Sequence, residues 1–129
     1  MAAADLARAR YLSLATFRKT GTEVRTPIWF AVLHESQGDH AFWMMTAGDS
    51  GKVKRLRNDP RVRVAPCDVR GIVSGPWREG TARFVSDAEA IEQARAALRV
   101  KYGWQVTLLD FFSWLSGRMK RRVWLAVEV

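Results

Sequence analysis

The stretch that most constrains this chain is the run 23–34 (EVRTPIWFAVLH), which reads as a strand yet carries a proline inside it. β-Branched and aromatic side chains dominate it, as a pleated, half-buried surface favours. Pro27 has no N–H to give to a ladder, so it must sit at a sheet edge, at a bulge, or where the strand faces a ligand. A flat ring lying against this backbone would meet Trp29, and the Thr26 hydroxyl would be free to bond its polar edge. The plainer alternative makes Ile28 and Trp29 core residues and Pro27 the mark of an edge strand.

The neighbouring segments place that run in a meander. Residues 11–18 (YLSLATFR) alternate and end in the turn cluster 19–22, so they predict a first strand joined to 23–34 as a hairpin across Gly21. After a polar loop at 35–39, residues 40–46 (HAFWMMT) predict a third strand paired to the second. Residues 61–67 (RVRVAPC) and 78–85 (REGTARFV) predict strands four and five, joined by a wide connection punctuated by Gly71, Gly75 and Pro76. Residues 120–129 (KRRVWLAVEV) predict a terminal strand that closes a barrel by pairing with an earlier one.

Helical signals lie between the strands. Residues 47–50 (AGDS) supply turn and N-cap residues for a short helix over 51–58 (GKVKRLRN), which Pro60 stops. Residues 86–89 (SDAE) form an S-x-x-E capping box, after which Ile91, Ala94, Leu98 and Tyr102 line one face until Gly103. The apolar segment 104–116 (WQVTLLDFFSWLS) is open between helix and strand-like arm, because periodicity does not separate the two. With no repeats or linkers, residues 1–129 read as one domain, a mainly β, six-stranded antiparallel split barrel with two or three short helices.

Charge narrows the partners. The chain's formal net charge of +8 favours anionic partners, and arginine, which carries most of the positive charge, suits phosphates and carboxylates. The single cysteine, Cys67, excludes an internal disulfide and a Cys-x-x-Cys metal motif. The N-terminal residues carry Asp5, Arg8 and Arg10 where a signal peptide needs an apolar run, and no segment approaches about 18 apolar residues. The expectation is a cytoplasmic protein with no membrane partner and no metal.

The patch 46–60 (TAGDSGKVKRLRNDP) is the strongest candidate site. A small-residue turn feeding a helix leaves unpaired N–H groups and the positive end of the helix dipole at one spot, and Lys52 and Lys54 add cations. A solvated basic helix face is the competing reading.

The order TFRKTG, RTPIWF, an apolar strand ending in Thr46, SGKVKRLRNDPRV and EGTARFV resembles the pyridoxamine-5′-phosphate-oxidase-like split-barrel superfamily, and within it the F420-dependent actinobacterial oxidoreductases. Residues 11–85 carry the resemblance, with the string 52–60 its most specific piece. The resemblance implies FMN or the deazaflavin F420 bound between the two subunits of a homodimer. It implies Ser50 and Lys52 on the cofactor phosphate, Lys54 assisting, Thr26, Pro27 and Trp29 flanking the ring, and Thr46 near its polar edge. Serine stands at position 50 where some relatives carry arginine, which leaves the cofactor's identity open. F420 carries a phosphodiester and a tail of glutamates, so net +8 favours it over FMN.

The expected function is hydride transfer between F420 and a small organic substrate, with the cofactor doing the chemistry and the protein positioning it. The alternatives are an FMN oxidase or reductase and, from another class, a basic nucleic-acid-binding barrel. The last would interleave exposed aromatics with its cations, whereas here the cations cluster at a helix start and before the last strand, so no nucleic-acid partner is expected. No nucleophile–base constellation stands out: His34 and His40 flank a polar loop, and the catalytic residues are not assigned. Arg118, Lys120, Arg121 and Arg122 form a second basic cluster, and Trp77, Trp104 and Trp114 are candidates for the substrate pocket or the subunit interface.

Overall fold

The computed structural model describes residues 6–34, 40–48, 50–115 and 122–129. In chain order the elements are β1 (Tyr11–Phe17), β2 (Glu23–Ile28), β3 (Phe30–His34), β4 (His40–Ala47), α1 (Gly51–Asn58), β5 (Arg61–Cys67), β6 (Arg78–Val85), α2 (Ala88–Tyr102), α3 (Trp104–Leu115) and β7 (Arg122–Glu128). All strand pairings are antiparallel. The sheet has seven strands rather than six, in the order β2-β1-β5-β6-β7-β4-β3.

The extra strand comes from the proline-bearing run. Residues 23–34 divide at Trp29: β2 pairs with β1, Pro27 lying opposite Ser13, and β3 pairs with β4 at the other end of the sheet. Pro27 thus occupies an edge strand, where its missing N–H costs no ladder bond. The two edges of the sheet are consecutive in the chain with one residue between them. Consecutive Cα atoms stand about 3.8 Å apart, so Ile28 and Phe30 must be neighbours and the sheet must curl until its first and last strands meet. That corner is the split of the barrel.

Tyr102, the last residue of α2, secures the corner. Its hydroxyl accepts from the Phe30 N–H at 3.0 Å and donates to the Arg10 carbonyl at 2.8 Å. Its ring stacks on Trp29 with centroids 4.6 Å apart and planes 16° apart, and lies 6.0 Å from Tyr11. Burial pushes the phenol up to about 12, so it stays a neutral donor. α2 ends there because Gly103 takes φ 63 and its N–H bonds to the Arg99 carbonyl. At the other end the cap is Asp87 rather than Ser86, its side chain accepting from the Glu89 N–H at 3.1 Å. A carboxylate at a helix start outcompetes a hydroxyl because it also meets the dipole.

Two apolar clusters flank the sheet. Leu12, Leu14, Phe30, Phe42, Met44, Val62, Val64, Leu125 and Val127 fill the barrel interior, joined by Leu56 from α1. The opposite faces of the same strands present Ala41, Trp43, Trp124 and Ala126 to Ala94, Leu98 and Tyr102 of α2 and Val106 of α3. The period-2 alternation of β4 and β7 divides their side chains between the two clusters. Residues 104–115 are helical, and the buried pair Arg122–Asp110, 2.6 Å apart, ties α3 to β7. Trp104, Leu108, Phe111, Phe112 and Leu115 of α3 remain exposed. No helix among the described residues is long and apolar enough to cross a membrane.

Replacing Tyr102 with phenylalanine keeps the ring stack and strands the buried Phe30 N–H. The expected loss is about 1–3 kcal/mol of unfolding free energy, read by urea denaturation; an unchanged midpoint would remove Tyr102 from this role.

Candidate functional site

The chain geometry that splits the barrel also opens a pocket beside it. A cavity of about 280 Å3 is lined by Pro27, Ile28 and Trp29 at the β2–β3 corner, Met45 and Thr46 at the end of β4, Lys52 in the first turn of α1, Leu98 of α2 and Leu109 of α3. Four of the seven residues singled out from the sequence, Pro27, Trp29, Thr46 and Lys52, converge there. They lie on three separate elements that the sheet order brings together. Trp29 is fixed from behind by Tyr102, so its indole forms a rigid wall.

Ser50 caps α1 in an extended conformation. Its hydroxyl accepts from the Val53 N–H at 3.4 Å and lies 3.4 Å from the Thr46 hydroxyl. It therefore stands beside the pocket, joined to a residue that lines it. The first turn of α1 contains no acidic residue. Thr26 is not in the lining: it pairs in register with the core residue Leu14, and its Oγ1 is buried without a hydrogen-bond partner among the described residues. Lys54 points away: it is exposed on the far side of α1 and contributes nothing to the cavity. Residues two apart on a helix do not share a face, so Lys52 and Lys54 could not both have reached it.

Among the described residues, Lys52 is the only charged group lining the pocket. It is half-buried, and burial, followed by the nearby Arg55 guanidinium, holds its ammonium below the usual lysine range. Among the described residues no carboxylate pairs with it. A cation desolvated against Trp29, Met45, Leu98 and Leu109, with no counter-ion among the described residues, is a poised anion receptor.

Other candidates fall elsewhere. Trp77 lies between the guanidiniums of Arg25 and Arg63, 4.6 and 5.2 Å from its ring, and both arginines pair with Glu23. Arg25 and Arg63 flank Ala15 in register, so the indole braces the β2-β1-β5 face and takes no part in the Lys52 pocket. Trp104 is exposed on α3. Cys67 is buried, and burial raises its thiol above the usual range, which makes it inert. His34 and His40 are paired through their backbones, β3 to β4; their side chains, that of Trp114, and Arg118, Lys120 and Arg121 lie outside the described residues. Among the described residues no cluster of side chains could hold a metal. A larger cavity of about 450 Å3, lined by Arg61, Arg63, Glu79 and Glu128 among others, mixes both signs of charge and shares none of these residues.

The walls Met45, Leu98 and Leu109 carry no signal in the sequence beyond apolarity. Leu98 does belong to the i, i+4 face of α2 that ends in Tyr102, which places it near Trp29 once the fold is known.

The family described as pyridoxamine 5′-phosphate oxidase matches residues 2–129. No curated protein gives a match in sequence. Among solved structures, the conserved hypothetical protein Rv2991 from Mycobacterium tuberculosis is 26% identical, with a TM-score of 0.67 over 98% of this chain and 79% of that one. The heme storage protein HutZ from Vibrio cholerae is 14% identical, with a TM-score of 0.66 over 95% of this chain and 83% of that one. A FAD-binding protein from Mesorhizobium loti is 14% identical, with a TM-score of 0.62 over all of this chain and 88% of that one.

The state of Lys52 sets a pH dependence. Its folded-state value lies below its unfolded value, so between the two the unfolded chain binds the extra proton and stability rises with pH. Lys52→Met removes the desolvated charge; its melting temperature is expected to exceed the parent's at pH 7, with the gap closing as pH approaches the ordinary lysine value. A gap that is constant with pH would mean that Lys52 is not desolvated.

Proposed function

The chain belongs to the pyridoxamine 5′-phosphate oxidase family, and from that membership we propose that its pocket holds the phosphate and ring of a flavin-type cofactor. The specific reading is a deazaflavin F420-dependent oxidoreductase that transfers hydride to a small organic substrate. The observation that carries it is the ammonium of Lys52, without a carboxylate partner among the described residues, inside a pocket whose other walls, Thr46 apart, are apolar or aromatic. Phosphate suits the cation, and a flat conjugated ring suits the slot between Pro27 and Trp29. Lys52 and the Ser50 hydroxyl bind the phosphate, Pro27 and Trp29 hold the ring face, and Thr46 meets its polar edge. A bound flavin or deazaflavin supplies the hydride chemistry; these residues bind it, orient it and exclude water. A buried, unpaired cysteine suits the reducing cytoplasm. That a similarly folded protein binds FAD supports the cofactor class, and FMN is the second reading, since its single phosphate fits Lys52 equally well.

The pocket is small for a whole cofactor. Ligand sites commonly enclose about 300–1,000 Å3, and this one stops at about 280 Å3 with Leu109 half open to solvent. The exposed apolar face of α3 continues from Leu109 through Phe112. A second copy of the chain packed on that face completes the enclosure, so the working unit is a homodimer.

Titration of the protein with F420 and with FMN, followed by tryptophan fluorescence, tests the reading. F420 binds more tightly than FMN if the first reading holds; a protein that purifies yellow with a flavin spectrum belongs to the second. Lys52→Ala is expected to weaken binding by about 1–3 kcal/mol, and an unchanged affinity would sink the phosphate assignment. Light scattering at micromolar protein should give twice the chain mass of 14.7 kDa, and a single-chain mass would overturn the shared enclosure.

A further inference from the structure

One wall of the Lys52 pocket stands on an edge strand. β2 pairs with β1 and has no strand on its other side, yet its Pro27 lines the pocket. The connection between β5 and β6, residues 68–77, meets this strand at two points. A Cβ built on Gly71 would stand 3.5 Å from Cδ of Pro27 and 3.7 Å from its Cγ. Six residues later the Trp77 ring meets the guanidinium of Arg25, two residues before Pro27, at 4.6 Å.

Apolar burial does not hold this connection in place, because Val69 and Ile72 are 66% and 61% exposed. Polar bonds hold it instead, and most of them converge on Asp68. Its Oδ1 accepts from the Arg70 N–H and from the Ile72 N–H, each at 2.9 Å. Its carbonyl accepts from the Gly71 N–H at 3.0 Å, and its own N–H donates to the Ile72 carbonyl at 3.1 Å. Behind the turn the Ser74 N–H donates to the Pro66 carbonyl at 2.9 Å, and Cys67 bridges to Val73. Gly71 takes φ 87, a conformation that a side chain strains, so the residue seated on Pro27 is one that the turn keeps bare.

A flat ring held between two walls is sensitive to their separation. A gap of about 0.5–1 Å forfeits roughly a quarter to a half of each dispersion contact. Trp29 is fixed on its side of the slot by the stack with Tyr102. Pro27, exposed on its edge strand, takes its outer support from Gly71. The two walls are thus set by different devices, an aromatic stack for one and a hydrogen-bonded turn for the other.

We infer that Asp68 is a positioning residue: through the turn that seats Gly71 on Pro27 it sets the width of the slot between Pro27 and Trp29, without itself lining the pocket. The inference rests on the reading of the pocket as a flavin-type site and adds to it the residue that fixes one wall from outside.

Pairs of probes that share a ring and differ in the phosphate separate the ring wall from the phosphate grip: FMN with riboflavin, and F420 with its phosphate-free deazariboflavin fragment. In whichever pair the parent protein binds, Asp68→Ala should weaken both members by about tenfold and leave their ratio unchanged, whereas Lys52→Ala should weaken the phosphate-bearing member alone. Asp68→Asn keeps an oxygen for the Arg70 and Ile72 N–H groups and should restore both affinities. Gly71→Ala, which strains the turn and crowds Pro27, should lower both again. Asp87→Ala removes the cap of α2, outside the pocket, and controls for lost stability: it should lower the urea midpoint and keep both affinities. Parental affinities in Asp68→Ala, or an equal loss in Asp87→Ala, overturn the positioning role and leave the pocket reading intact. Failure of the parent protein to bind either FMN or F420 overturns both.

Discussion

The bond between the Tyr102 hydroxyl and the Phe30 N–H is the interaction on which the rest of the structure depends. A sheet whose two edge strands are joined by one residue cannot carry its ladder across the joint, so the backbone at Phe30 needs a partner from elsewhere. Tyr102 supplies it from the end of α2 and reaches the Arg10 carbonyl with its own proton. One phenol thus ties together the entry to β1, the corner between β2 and β3, and the helix that covers the second apolar cluster. The indole it stacks against becomes a pocket wall.

Buried charge is handled in two opposite ways. Arg122 and Asp110 are both largely buried and meet at 2.6 Å, so each offsets the other's desolvation while locking α3 onto β7. Lys52 receives no such partner among the described residues, and the neighbouring Arg55 adds repulsion. A fold with a stability of about 5–15 kcal/mol retains such a cost chiefly where something outside the chain relieves it. An uncompensated cation in an apolar slot is thus a more pointed feature than the overall positive charge, most of which is spread over exposed arginines.

Much of this was legible in the sequence, for reasons that differ by element. α1 was readable to the residue, because Ser50, the small turn before it and Pro60 punctuate both ends. α2 was readable because Ile91, Ala94, Leu98 and Tyr102 keep one face. The division at Trp29 was not, because the pattern of 23–34 is continuous; only Pro27 hints that its two halves have different neighbours, and it identifies an edge without revealing that there are two. The helical state of 104–115 was hidden by apolarity on all sides, which erases the period that distinguishes helix from strand. Within the site, Pro27, Trp29, Thr46 and Lys52 could be named from local chemistry, whereas excluding Lys54 needed the helix's rotation and finding Asp68 needed the contact between Gly71 and Pro27 on a distant strand.

β7 has a consequence for how the protein is made. It pairs with β4 on one side and β6 on the other, and it is the only link in the sheet between the β2-β1-β5-β6 half and the β4-β3 half. It also emerges from the ribosome after every other strand. Until then β4 presents an apolar edge with unpaired donors and acceptors, a template for wrong partners, and the two walls of the pocket belong to halves that are not yet joined. Native structure and ligand competence therefore arrive in the same late step. A ligand that bridges the Pro27–Trp29 and Met45–Thr46 walls would capture the newly closed chain and act as a folding aid as well as a functional partner.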